Sequence, residues 1–270
     1  MPKLTPIAIA KRTPLTNCGQ CGQPTCLAFG AAVIKTGIAL DRCPFIDLTG
    51  LAPEQTLTPP LQDQEARDLA FIASLKEKIA PFDLTQLAPQ LGATTTADAP
   101  DTLSFRYLGQ MVTLSKTTLL LDGQVPEDPR DQILLYNYVY SRGNQPPTND
   151  WIGMESLPNS ISKIKTLATY GEERLARLFT DLPEETIWPA LKAVDGVATA
   201  NQGASLAIIV PVLPMIPQCL LFWEESTEEQ FAARVKILFD RHCLSYLDLE
   251  SLVFSAERLA DRLSLLSNHR

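Results

Sequence analysis

Asn17-Cys18-Gly19-Gln20-Cys21-Gly22-Gln23-Pro24-Thr25-Cys26, completed by Cys43-Pro44, is the stretch that divides this chain. Four of the six cysteines lie here, while Cys219 and Cys243 stand alone far downstream. The spacing is C-x2-C-x4-C-x16-C, and without an export signal ahead of it such a set reads as a metal site sooner than as two disulfides. Four thiolates suit tetrahedral zinc and an iron-sulfur cluster alike. A C-x2-C-x4 zinc knuckle needs a histidine that this stretch lacks, and its last spacing is far shorter. Glycine after each of the first two cysteines lets the backbone turn tightly and aim N–H groups at an anionic centre, which favours the cluster.

Pro24 starts a helix and Gly37 ends it, placing Cys26 in the first turn, where the positive end of the helix dipole stabilises a thiolate or a cluster sulfide. Leu27, Ala28, Phe29, Ala31, Ala32, Val33 and Ile34 make that helix apolar on nearly every side, so we expect it to be buried between the metal centre and another layer. Residues 36–42 form a return connection that brings Cys43 back. Pro44, with no N–H, stops the ligand turn from continuing as helix.

The run Pro14-Leu15-Thr16-Asn17-Cys18-Gly19-x-Cys21-Gly22-x-Pro24-Thr25-Cys26-x-Ala28-Phe29, with Cys43-Pro44, resembles the small [4Fe-4S] domain of the corrinoid iron-sulfur protein large subunit. A similar module occurs in the B subunit of ion-translocating ferredoxin:NAD oxidoreductases. The resemblance implies that Cys18, Cys21, Cys26 and Cys43 are the four ligands of a [4Fe-4S] cluster. Two departures touch no ligand: Pro14-Leu15 replaces the usual Leu-Pro, and Gly30 replaces an alanine of the helix.

Outward from this stretch, the composition is that of a folded protein: 270 residues, 45% hydrophobic and 20% charged. Lys3, Lys11, Arg12, Lys35 and Arg42 outweigh Asp41 and Asp47, so residues 1–52 carry +3 while the remainder carries −11, for a net charge of −8. That balance offers no basic field for a nucleic acid. The first twelve residues hold too short an apolar run for a secretory signal, which places the chain in the cytoplasm. The uncharged run 200–223 contains Pro211, Pro214 and Pro217, so it reads as strand, proline loop (between strands over 204–210 and 218–223), strand rather than as a membrane helix.

Residues 1–52 are expected to form the cluster module, 53–64 an extended Pro- and Thr-rich linker, and 65–270 a larger domain. In that domain Leu69, Ile72 and Ile79 mark an amphipathic helix ending before Pro81. Leu103, Phe105 and Tyr107 alternate, a Gly109-Gln110 turn follows, and Val112 and Leu114 resume, giving a hairpin with a third strand at 119–121. Helices are expected over 131–140, 171–182 and 184–194. Ser226-x-x-Glu229 and Thr227-x-x-Gln230 are capping-box patterns that predict a helix carrying Phe231, Val235 and Leu238, and Leu252, Ala256, Leu259 and Leu263 mark the last helix. Strands and helices come in mixed blocks, which predicts an α+β fold rather than a barrel or doubly wound sheet. Trp151-Ile152 before Glu155-x-Leu157-Pro158, Val212-x-Pro214 before Leu220-x-Phe222-Trp223-Glu224, and 236–240 resemble a domain of unknown function found behind such a module in anaerobes.

No nucleotide-binding loop, zinc-protease motif or nucleophile elbow is present. His242-Cys243 reads as a helix-end histidine beside a buried thiol, Glu224, Glu225, Glu228 and Glu229 as a solvated helix cap, and the tryptophans and tyrosines as core. The expected function is one-electron transfer by a [4Fe-4S] cluster to a redox partner protein or to a second centre such as a corrinoid or other tetrapyrrole. The alternative is a non-catalytic binding or redox-sensing protein that the cluster stabilises.

Overall fold

The computed structural model describes residues 5–36, 38–49, 60–200, 203–226 and 231–268. The backbone divides into two units, Met1–Ala70 and Phe71–Arg270. In the first, helix α1 (Pro6–Ala10) packs on helix α2 (Cys26–Thr36). Thr5 caps α1 by accepting the Ala8 N–H at 3.2 Å, and Pro6 takes a first-turn position whose N–H has no intrahelical use. α2 buries Cys26, Phe29, Gly30 and Val33, a stripe at helical spacing. The expectation that α2 is enclosed on nearly every side is corrected, since Leu27 is 53% exposed. Within this unit α1 and the loops cover only one face of the helix. Gly37, residues 50–52 at the end of the expected module and residues 53–59 of the expected linker lie outside the described residues. Residues 60–64 of that linker belong to helix α3 (Pro60–Ile79), where Pro60 again occupies the first helical position.

The second unit adds α4 (Leu84–Leu87), then β1 (Thr94–Thr96), β2 (Ala99–Tyr107), β3 (Gln110–Ser115) and β4 (Leu119–Leu121), an antiparallel meander in that order. After α5 (Pro129–Ser141) come β5 (Trp151–Gly153), α6 (Ile161–Leu167), α7 (Glu173–Asp181), α8 (Glu184–Ala193), β6 (Val197–Ala198), β7 (Leu206–Leu213), β8 (Ile216–Trp223), β9 (Arg234–Asp240) and α9 (Leu249–Asn268). The last five strands form an antiparallel sheet in the order β5-β9-β8-β7-β6. The class is α+β, as expected.

Local chemistry explains where the elements depart from expectation. The β2–β3 turn is Leu108-Gly109, one residue earlier than predicted: Tyr107 faces Gln110, and both turn residues have positive φ, 48° and 78°. A Cβ on Gly109 would lie 1.8 Å from Ala193 O, so only glycine fits there. Leu108 N–H donates to Val212 O at 3.1 Å, joining the hairpin to β7. The proline run expected as a loop is instead mostly strand, with Pro211 opposite Pro217 and Pro214-Met215 as the turn. Helix begins at Ile161, not near Gly171, and passes through a π turn at Ala168–Glu172 into α7.

The capping-box helix is wrong: Val235 and Leu238 lie in strand β9, and Ser226 exchanges two backbone hydrogen bonds with Phe231. Val235, Ile237 and Phe239 are buried at a period of two, and that alternation prevails over the local cap pattern once β8 is there to pair with. Thr227, Glu228, Glu229 and Gln230 lie outside the described residues.

One continuous apolar core runs from Ile72 to Leu263, holding both sheets against α5, α7 and α9. Tyr138, fully buried, donates to Leu91 O at 2.7 Å and accepts from Met215 N–H at 3.2 Å. A charged layer lies between α5 and α9. Arg258 binds Asp131 with two hydrogen bonds of 2.8 Å, and Tyr107 donates to the same carboxylate at 2.8 Å. Arg130 reaches Asp128, Glu257 and Asp261, so cations and carboxylates alternate through the layer.

Candidate metal centre

Thr13, Asn17, Cys18, Gly19, Cys21, Cys26 and Cys43 all border one small cavity in the first unit. The four predicted ligand cysteines are thus gathered from three local structures. Cys18 and Cys21 sit on a loop whose path needs left-handed backbone at Leu15, Asn17, Gly19 and Gly22, with φ between 51° and 81°. Gly22 N–H closes onto Gly19 O at 2.8 Å. Cys26 opens α2, which Thr25 caps by accepting the Ala28 N–H at 3.0 Å. Cys43 follows a single 3-10 turn, Leu40–Arg42, and its N–H donates to Leu40 O at 3.2 Å.

The helix pair is close because residue 30 is glycine. A Cβ there would lie 2.3 Å from Pro6 O. Arg12 straps the end of the module back onto α1, donating to Asp47 O at 3.2 Å and Thr49 O at 2.9 Å, while Asp47 N–H returns to Arg12 O at 2.8 Å.

Cys21, Cys26 and Cys43 are buried and Cys18 is exposed. All six cysteines are free thiols. Hydrogen bonding with Thr13 is the largest influence holding the Cys26 thiol below its ordinary pKa. The Asn17 N–H adds to it, burial opposes it, and the Leu15 and Cys26 N–H groups contribute further. Asn17 Oδ1 accepts the Cys26 N–H at 2.9 Å, so one side chain ties the loop to the helix start. Among the described residues no three His, Cys, Asp or Glu side chains are gathered tightly enough to hold a single metal ion. Four cysteine thiols bordering one cavity are a donor set that fits tetrahedral zinc or an iron-sulfur cluster. Thr13 was not foreseen, for a lone hydroxyl thirteen residues before its sulfur leaves no pattern in the sequence. Asn17 carried a signal, because asparagine tolerates left-handed backbone.

The other candidates separate. His242 Nδ1 lies 2.9 Å from Pro146 O, and burial pushes the Cys243 thiol up to about 12, so the two form no base and nucleophile pair. His242 follows strand β9 and stands at the start of a short 3-10 turn, Cys243–Ser245, beside the buried Cys243, as expected of a helix-end histidine. Burial also raises Cys219. Glu224 and Glu225 are exposed at the end of β8, not at a helix start. Tyr107, Tyr136 and Tyr138 are core, while Tyr140 is 41% exposed. Trp223 and Trp151 are half-buried on the outer sheet face, and Trp188 packs against the core.

A family model described as "Putative Fe-S cluster" matches residues 14–45, so the chain carries an iron-sulfur cluster module. The corrinoid/iron-sulfur protein large subunit of Moorella thermoacetica is 41% identical over 59 residues, 22% of this chain and 13% of that protein. The acetyl-CoA decarbonylase/synthase complex subunit gamma of Methanocaldococcus jannaschii is 22% identical over 198 residues, 71% of this chain and 36% of the relative. Its gamma 2 counterpart in Methanosarcina mazei is 45% identical over 40 residues, 15% of this chain and 8% of that one. The chain thus spans at most about a third of these relatives. No solved structure matches. No described helix is long and apolar enough to cross a membrane. A second family model matches residues 83–262, two thirds of the sequence, and by that match the chain belongs to the family described as Domain of unknown function (DUF3786).

Proposed function

We propose that Cys18, Cys21, Cys26 and Cys43 hold a [4Fe-4S] cluster and that the protein passes single electrons to a redox partner. The observation that carries this reading is the common cavity bordered by all four thiols within the module matched as an iron-sulfur domain. Such a cluster supplies a one-electron couple whose potential follows burial and hydrogen bonds to sulfur. The chain's own contribution is positional. Three buried cysteines exclude water, Thr13 and the loop N–H groups favour negative charge at Cys26, and exposed Cys18 marks the side nearest solvent. The large domain supplies the surface for the partner, either a protein or a corrinoid or other tetrapyrrole centre. The printed names of the relatives, one a corrinoid/iron-sulfur protein and others subunits of a complex, support a partner of this kind. We place the protein in the cytoplasm, and the acidic balance keeps nucleic acid out of the partner list.

Anaerobic purification with iron, sulfide and zinc quantified, then spectra before and after dithionite, tests the reading. Four irons and four sulfides per chain with reversible bleaching are expected, and Cys21→Ser is expected to lose them. One zinc and no sulfide, or a cluster that takes up no electron, overturns it.

A second reading has its own observation: the module's core is Ile9, Cys21, Phe29, Val33 and Cys43, so two of its members are ligands. A cluster there also maintains the fold, and its oxidative loss would serve as a signal. Normal activity in cells with a redox-inactive metal at the site would favour structure or sensing over electron transfer.

A further inference from the structure

Strand β9 is paired unequally on its two sides. β8 covers it from Arg234 to Phe239, but β5 reaches only Gly153, opposite Leu238. In an antiparallel ladder both backbone groups of one residue point the same way. Arg241 N–H donates away from β8 to Asp150 O at 2.9 Å, and Ile237 N–H donates to Glu172 Oε1 at 3.1 Å. Val235 has the same parity, so its N–H and C=O face the open side, and among the described residues nothing pairs with them. Most sheets blunt such an edge. Here α7 stands across from it and leaves a cleft of about 660 Å³ between helix and strand.

The cleft is built for backbone. Its inner walls carry small side chains, Ala168, Ala176, Ala232 and Ala233, which leave room beside the strand. Lys236 is neutralised by Glu155 and Glu172, and Arg177 faces Glu173. Two charges remain. Arg234 lies over the Trp223 and Phe231 rings with no carboxylate among the described residues, and Asp181 on α7 has no ion pair among them.

We propose that this cleft binds an extended polypeptide segment, which adds a strand to β9 at Val235 and runs between β9 and α7 with a carboxylate toward Arg234 and a cation toward Asp181. An open ladder opposite a helix is the geometry in which main-chain hydrogen bonds supply affinity and alternate side chains supply selectivity. The site lies within the family-matched region and does not depend on the cluster.

Amide exchange on the intact chain is the first test. Val235 N–H is expected to exchange at least a hundredfold faster than the amides of Ile237 and Leu238, and equal protection overturns the proposal. A capped heptapeptide of alternating valine and threonine, with glutamate at one end and lysine at the other, is then added. Slowing of Val235 exchange by tenfold or more at millimolar peptide supports the proposal, and no slowing overturns it. N-methylation of alternate peptide amides is expected to abolish the effect. Thr180→Trp, at an exposed cleft position, is expected to weaken binding at least tenfold without changing the melting temperature. Val235→Pro removes the outward N–H at a position where an edge strand tolerates proline. Binding that ignores both Thr180→Trp and N-methylation overturns the proposal.

Discussion

The two units are stabilised by different means. The described core of the N-terminal unit is Ile9, Cys21, Phe29, Val33 and Cys43, whereas the larger unit buries an unbroken apolar core from Ile72 to Leu263. Segments of about 40 residues seldom bury enough surface to fold without a metal, a disulfide or a partner. The first unit is therefore expected to need its inorganic group, and the second to stand without it.

The sharpest break of that contrast is removal of the cluster. Chelation under air, or Cys43→Ser, is expected to abolish amide protection over residues 5–49 and leave that of β7, β8 and β9 unchanged. Retained protection in both units would show that the small core suffices alone. The converse substitution is Arg258→Ala, which strands Asp131, only 5% exposed at its side chain. It is expected to cost the large domain about 3–5 kcal/mol in denaturant unfolding while the cluster absorbance stays unchanged.

Acidification should also separate the units. Burial raises the pKa of Asp128 and Asp261, but hydrogen bonds and charge from the surrounding arginines outweigh it, and both lie below the usual carboxylate value. Their stabilisation is complete above the unfolded carboxylate pKa and is lost as pH falls through the lower folded values. The melting temperature of the large domain should drop over that acidic window, and the drop should be smaller in Asp261→Asn. The mildest test is Asn17→Gly, which keeps the left-handed backbone and removes the bond to Cys26 N–H. It should cost the module about 1 kcal/mol, read as faster cluster loss, and nothing elsewhere.

The sequence was most informative where chemistry is local. Cysteine spacing, the placing of Cys26 in the first turn of α2 and the alternation of Leu103, Phe105 and Tyr107 each depend on near neighbours, and all three were legible, although α2 starts two residues after Pro24, with Thr25 as its cap. Strand β9 was not, because overlapping capping boxes are local signals and the pairing of Val235 with Phe222 is not. The open edge and α7 cleft were equally invisible, since they depend on β5 ending at Gly153. Gly30 looked like a mild departure and proved to be a close backbone approach.

The π turn at Ala168–Glu172 has a consequence for chain length. A π turn holds one residue more than the α-helix it interrupts, and each α-helical residue advances the phase by about 100°. Deleting a single residue there would let α6 and α7 merge into one regular rod. Arg174 would rotate off Asp261 and Glu172 off the Ile237 amide, so the partners of the whole downstream helix are set by one surplus amino acid.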